Sequence, residues 1–335
     1  MKSFRIVVIA LALMMLVSAF TGCSSAATET ESVSETVAAD TTEEVAAADD
    51  EIKIGFIMKV VNPYFEVMQE GAEAKAEELG VTLLCEAALE HTDIEGQIAI
   101  IEDMISQGVD AICIAPSGSK EVVPALALAI AAGIPVVDVD NRLDAETVEA
   151  AGLDPIPYVG VEDINSAYMA ASYLVEQIGG EGKVAILEGI RGVDNAENRR
   201  AGAEKAFNEA EGIEIVASQT ANWGAEEALN VFTNILQANP DLKGVFCAND
   251  QMAFGAIQAI EAIGKTGEIL VVGIDAEEQA YVYIREGKML ATIHQNQDQQ
   301  GATAVETALM MINGEAVDTE IIVPTLLKTI DEIGE

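Results

Sequence analysis

From residue 52 onward the chain alternates short apolar runs rich in Val and Ile with longer amphipathic segments, and this rhythm limits the fold more than any other feature. The apolar runs fall at 52–58, 81–85, 111–115, 135–139, 158–161, 184–187, 213–218, 245–247, 269–274 and 291–294, and predict strands. The segments between them, at 63–79, 94–107, 120–132, 164–178, 195–211, 225–238, 250–263, 277–286 and 298–313, carry helical spacing. Near-continuous apolar strands joined by crossover helices mean parallel sheets covered on both faces. Gly80, Gly108, Gly133 and Gly264 stand where helices should stop. There are too many βα units for one open sheet, and the irregular stretch 142–157, read as a loop, breaks the rhythm; two doubly wound α/β lobes of similar size are expected.

Composition narrows the class. Lys and Arg total 17 against 57 Asp and Glu, a formal net charge of −40, so a polyanionic partner such as nucleic acid would be repelled. Half the residues are hydrophobic and only 4% aromatic, which suits helix-on-sheet layers better than an all-β protein. The N-terminus reads as a processed segment. Lys2 and Arg5 precede an apolar run from Ile6, which is too short to span a bilayer, and small residues lead to Cys23. Residues 24–51 hold nine acids with no Lys, Arg, Gly or Pro, and cannot bury enough apolar surface to order; they read as a tether. Cys85, Cys113 and Cys247 lie inside apolar stretches at spacings that fit neither a metal site nor a disulfide framework, so they read as core thiols.

In open parallel sheets ligands sit beyond the carboxyl ends of the strands. The residues there are Asn62 followed by Pro63-Tyr64-Phe65, Ser117, Asp140-Asn141, Glu188 with Arg199 further on, Asn222-Trp223, Asn249-Asp250, Asp275 and Gln295. Amides, carboxylates and a guanidinium pair with adjacent hydroxyls, and aromatic faces cover the C–H surface of a sugar ring. Asn222, Asn249, Asp250 and Asp275 taken singly are equally well explained as helix N-caps; the recurrence of polar groups at the same topological place in both halves is what points to a ligand. Catalytic signatures are missing: no Gly-x-Gly-x-x-Gly follows the first strand, Gly264-Lys265-Thr266 lacks the earlier glycine of a P-loop, no nucleophile elbow occurs, and His91 and His294 are the only histidines. No enzyme activity, cofactor or metal is expected.

The segments Asn62-Pro63-Tyr64-Phe65, Pro135-Val136-Val137-Asp138-Val139-Asp140, Asn249-Asp250-Gln251-Met252-Ala253, Val271-Val272-Gly273-Ile274-Asp275 and Ala291-Thr292-Ile293-His294-Gln295 resemble the ribose/galactose-type periplasmic sugar-binding proteins of ABC importers, over nearly all of 52–323. The resemblance implies the type I periplasmic-binding-protein fold, with a hinge of three crossings near Val161, Gln295 and Val323. It divides the body into 52–161 plus 296–323 and 162–295 plus 324–335. It implies a neutral monosaccharide or polyol as ligand, an ABC permease or a sensor as partner, and a monomeric binder. Asn62, Asp140, Asn249, Asp275 and Gln295 would take sugar hydroxyls, Tyr64 and Phe65 one ring face, Trp223 the other, and Arg199 the ring oxygen or anomeric hydroxyl. Asn141 and Asn195 stand where relatives carry Arg and an acid. The Gly22-Cys23 pair resembles a lipobox, with Phe20 where Leu is commonest; this implies a signal at 1–22, a lipid on Cys23, a tether over 23–51 and a body held at the outer face of a bacterial membrane.

Overall fold

A computed structural model describes residues 51–334; the signal, the lipid site at Cys23 and nearly all of the tether lie outside the described residues. The element order is β1 (Lys53–Met58), α1 (Pro63–Leu79), β2 (Thr82–Ala87), α2 (Ile94–Gln107), β3 (Ala111–Ile114), α3 (Val123–Ala131), β4 (Val136–Val139), α4 (Ala145–Ala150) and β5 (Tyr158–Gly160). It continues with α5 (Asp163–Gln177), β6 (Glu181–Glu188), α6 (Asp194–Glu209), β7 (Gly212–Thr220), α7 (Ala225–Ala238), β8 (Leu242–Cys247), α8 (Asp250–Ala262), β9 (Leu270–Val272), α9 (Glu278–Arg285) and β10 (Thr292–His294). The chain closes with α10 (Gln297–Ile312), β11 (Glu320–Ile322), β12 (Leu326–Lys328) and α11 (Ile330–Ile333).

Two parallel sheets result. One has the order β11-β5-β4-β3-β1-β2, the other β7-β6-β8-β9. β10 lies beyond β9 through the Val272–Ala291 bridge and pairs antiparallel with β12. The chain leaves the first sheet after β5, returns to that side with α10, contributes β11, and crosses again before β12. Three connections therefore join the halves, and both halves are doubly wound α/β lobes.

Local chemistry explains the element limits. Asn62 caps α1 by accepting from the Phe65 N–H at 3.0 Å, Pro63 opens the helix, and Gly80 ends it with φ 70. Asp93 and Asn249 cap α2 and α8 in the same way. The central strands β3 and β4 are buried at every residue, as parallel strands covered on both faces must be. α1 and α10 cross at backbone contact distance: a Cβ on Gly71 would lie 2.0 Å from the Asp298 carbonyl oxygen, and one on Gly301 would lie 2.0 Å from that of Met68. This crossing fastens α10 to the first lobe although its sequence follows the second.

The structure differs from the expectation in three places. The stretch 142–157 is not all loop: α4 starts after Asp144, whose carboxylate accepts from the Thr147 N–H at 2.9 Å. β11 and β12 are three residues each and take their order from the strands they pair with, so no sequence period announces them. Cys113 and Cys247 are buried as expected, whereas Cys85 is only partly so.

Candidate ligand-binding site

A narrow cavity opens between the lobes. Its walls are Lys59, Asn62, Tyr64, Phe65, His91 and Asp140 from one lobe and Asn195, Arg199, Trp223, Asn249 and Asp275 from the other. Nine of these are expected from the sequence, most as strand-end residues and Asn195 through the family resemblance.

On the first side Asp140 follows β4 with φ 65 and is the centre of a polar knot. Its carboxylate accepts from the Tyr64 hydroxyl at 2.7 Å and pairs with the Lys59 ammonium at 3.3 Å. The Tyr158 hydroxyl donates to the Asp140 carbonyl at 3.0 Å. Burial pulls Lys59 below the usual lysine range against the opposing pull of Asp140. The Tyr64 ring meets Phe65 edge-on, centroids 5.0 Å apart, and both are buried. An aromatic wall therefore stands beside a carboxylate whose remaining lone pairs can accept hydroxyl hydrogens.

On the second side Arg199, one helical turn beyond Asn195 on α6, is fixed at every edge. Its Nε donates to Asp163 at 2.7 Å, Nη1 to the Ala248 carbonyl at 2.9 Å and Nη2 to the Gln295 side chain at 3.0 Å. Nη1 also lies 3.7 Å from Asp275. Gln295 in turn donates to Asp275 at 2.7 Å. Burial raises Asp163 to about 6 and pushes Asp275 well above the usual carboxylate range, although Arg199 pulls both down. Trp223 has φ 67, and the Arg199 guanidinium carbon lies 5.6 Å from its ring centroid. Asn249 caps α8 with its oxygen and donates its amide to the Trp223 carbonyl at 3.3 Å, tying two walls of the cavity together. Asp140, Trp223 and Asp275 all occupy the left-handed side of φ space; such costs persist where the surroundings fix them, often at ligand sites.

Two expected residues are not on the cavity wall. Gln295 is fully buried behind Arg199 and Asp275 and orients both. Asn141 is also fully buried; its amide nitrogen donates to the Pro116 carbonyl at 3.0 Å and its oxygen accepts the Asn195 N–H at 3.2 Å. Asn222 is exposed, and Glu188 is held by Arg191 at 2.9 Å and Ser218 at 2.7 Å.

Two wall residues were missed. Lys59 is the first residue past β1 and could have been read from its position alone. Arg199 is therefore not the only cation in the cleft. His91 lies in the loop after β2, a strand whose end, like that of β5, the sequence reading passed over; burial and the nearby Lys59 push its imidazole down to about 4, so it is neutral at pH 7. Its Nδ1 and the Asn195 side-chain oxygen are buried without a protein partner. Among the described residues no cluster of His, Cys, Asp and Glu could hold a metal ion.

Two α/β lobes around a small polar cleft with aromatic walls define a solute-binding architecture. Residues 54–316 match the family model described as a periplasmic binding protein domain. The chain is 37% identical to the D-allose-binding periplasmic protein of Escherichia coli (strain K12), over 76% of this chain and 81% of that protein. It is 35% identical to the D-ribose/D-allose-binding protein of Pseudomonas aeruginosa, over 82% of this chain and 86% of the relative. Among solved structures, an ABC transporter periplasmic solute-binding protein from Actinobacillus succinogenes 130z with bound D-allose superposes with a TM-score of 0.82 at 45% identity, covering 84% of this chain and 99% of that one. The chain belongs to the periplasmic binding protein family.

Proposed function

We propose that this protein captures a neutral monosaccharide of the ribose or allose type, or a related polyol, between its lobes and delivers it to an ABC permease. The observation that carries this reading is the convergence, in one cavity, of hydroxyl-matching groups and aromatic walls from both lobes. Charge favours a neutral ligand: Lys59 and Arg199 are already paired with Asp140, Asp163 and Asp275, so no free cation awaits a phosphate or carboxylate. The protein acts by binding, with no catalytic step. The lobes comprise 52–161 with 296–323 and 162–295 with 324–335, and the ligand drives closure because it touches both sides only when they meet.

Within the cavity Asn62, Asp140, Asn195, Asn249 and Asp275 take ring hydroxyls, Arg199 the ring oxygen or anomeric hydroxyl, and Tyr64, Phe65 and Trp223 the ring faces. Lys59 supplies further N–H donors to hydroxyl oxygens, and His91 offers its unpartnered nitrogen to one more substituent. Gln295 acts through Arg199 and Asp275. A diacylglycerol on Cys23 and the acidic tether keep the monomeric body at the outer face of the membrane. A thermal-shift screen over D-allose, D-ribose, other aldoses and inositols tests the proposal. A ligand at 100 times its dissociation constant stabilises the protein by about 2.7 kcal/mol, and the absence of any shift across the panel would reject it.

A further inference from the structure

The first N–H groups of a helix have no partner within it, and a side chain just before the helix normally satisfies one. α1, α2, α4 and α8 follow this rule with Asn62, Asp93, Asp144 and Asn249. α6, like α3, α5, α7, α9, α10 and α11, lacks a cap from its own flanking side chain: its capping position is Val193, which has no side-chain acceptor. The missing acceptors come from the other lobe. The Asp194 N–H donates to the Ser119 hydroxyl at 3.2 Å and the Asn195 N–H to the Asn141 side-chain oxygen at 3.2 Å. Ser119 lies beyond β3 and Asn141 beyond β4, both in the first lobe, and all three of Ser119, Asn141 and Asn195 are buried.

The acceptors are also pre-aimed. The Asn141 amide nitrogen is held by the Pro116 carbonyl at 3.0 Å and approaches the Ser119 oxygen at 3.4 Å, which leaves the Asn141 oxygen facing α6. α6 is the helix that brings Asn195 and Arg199 to the cavity, four residues apart and therefore on one face. Whatever fixes the first turn of α6 fixes those two side chains against the ligand.

We infer that Asn141 and Ser119 are positioning residues which cap α6 across the cleft, so that closure is completed by a helix cap the open form lacks. This rests on the proposed closure of two lobes around a ligand. It gives the closed state a source of free energy that no ligand atom supplies, and it assigns Asn141 a role other than touching sugar. Separating the lobes exposes the same N–H groups to water, so the contribution to affinity is that of one or two caps rather than of a buried ion pair.

The test uses the mature protein with Ser119→Ala, Asn141→Ala and the hydroxyl-retaining Ser119→Thr. Affinity for D-allose and D-ribose is measured by titration calorimetry, unliganded stability by thermal melting, and the closed fraction by energy transfer between dyes on α3 and α7. Each alanine variant should weaken sugar binding about five- to tenfold and lower the closed fraction; Ser119→Ala should leave the unliganded melting temperature unchanged, Asn141→Ala should lower it through the lost bond to the Pro116 carbonyl, and Ser119→Thr should keep native affinity and closed fraction. Unchanged affinity in both alanine variants overturns the inference, as does a loss of affinity that tracks a loss of unliganded stability and is not rescued by Ser119→Thr. If the native protein binds neither sugar, the proposed ligand class fails by itself, and the ligand-free closed fraction still decides. A fraction lowered by the alanine variants upholds the trans cap; a fraction they do not lower rejects it.

Discussion

The Arg199 guanidinium, on the wall of the cleft, and the Asp163 carboxylate behind it face one another at 2.7 Å with each side chain 4% exposed. The pair is the reason an alanine scan of this site must be read with care. Removing one partner of a buried pair strands the other charge, which costs about 3–5 kcal/mol. Arg199→Ala strands Asp163 and Asp275 together. It should abolish sugar binding and also lower the unliganded melting temperature. The double variant Arg199→Met with Asp163→Asn should recover part of the lost stability without recovering binding. Denaturant titration beside calorimetry separates the two effects, and a fully stable Arg199→Ala would show that the pair contributes nothing to the fold.

Gly189 sets the position of Trp223. A Cβ at residue 189 would lie 2.1 Å from the Trp223 Cζ2, inside the ring's van der Waals surface. Gly189→Ala should therefore push the indole toward the ligand space, cost about 1–3 kcal/mol of stability by overpacking and reduce sugar affinity more than tenfold. Trp223 is the only tryptophan, so the shift in its intrinsic fluorescence reports the displacement directly. An unchanged emission spectrum with unchanged affinity would refute the wedge.

Stability should fall as pH rises through the neutral range. Burial raises the Glu277 carboxyl from 4.5 to about 7, and its Oε1 lacks a partner while Oε2 accepts from Gln251 at 2.7 Å. The folded state thus holds a proton the unfolded chain has released, which stabilises the fold below about pH 4.5 and is lost as pH climbs to about 7. Asp163, raised to about 6, acts in the same direction, whereas His91, lowered to about 4, opposes them across the acid part of the range. The melting temperature should be higher at pH 5.5 than at pH 8. Glu277→Gln should flatten that slope by about 2 kcal/mol, chiefly by raising stability at pH 8. A profile that rises toward pH 8 in the native protein, or a variant with the native slope, would contradict this assignment.

How much of this was legible in the sequence depends on whether a signal is local. The limits of α1, α2 and α7 were readable to the residue; Asn62-Pro63 with Gly80 and Asp93 with Gly108 announce the first two at both ends. Strand ends supplied most of the cavity because parallel α/β topology converts chain position into spatial convergence. What failed was set by tertiary placement. β11 exists because Gly160 and its neighbours offer it a ladder. Asn141 immediately follows a cavity residue, yet Asp140 turns through φ 65, and the next side chain serves α6 instead of the ligand space. His91 reaches the cavity from a loop without periodicity, and only folding brings it beside Lys59.

The central claim is that the cleft between the lobes holds a neutral sugar or polyol. It is tested most directly by titration calorimetry of the mature protein with D-allose, D-ribose and myo-inositol, alongside D-allose 6-phosphate. At least one neutral compound should show saturable one-site binding and the phosphate much weaker binding, because its charge would meet Asp140, Asp163 and Asp275 with both cavity cations already paired. No heat from any neutral sugar or polyol, or tighter binding of the phosphate, would contradict it.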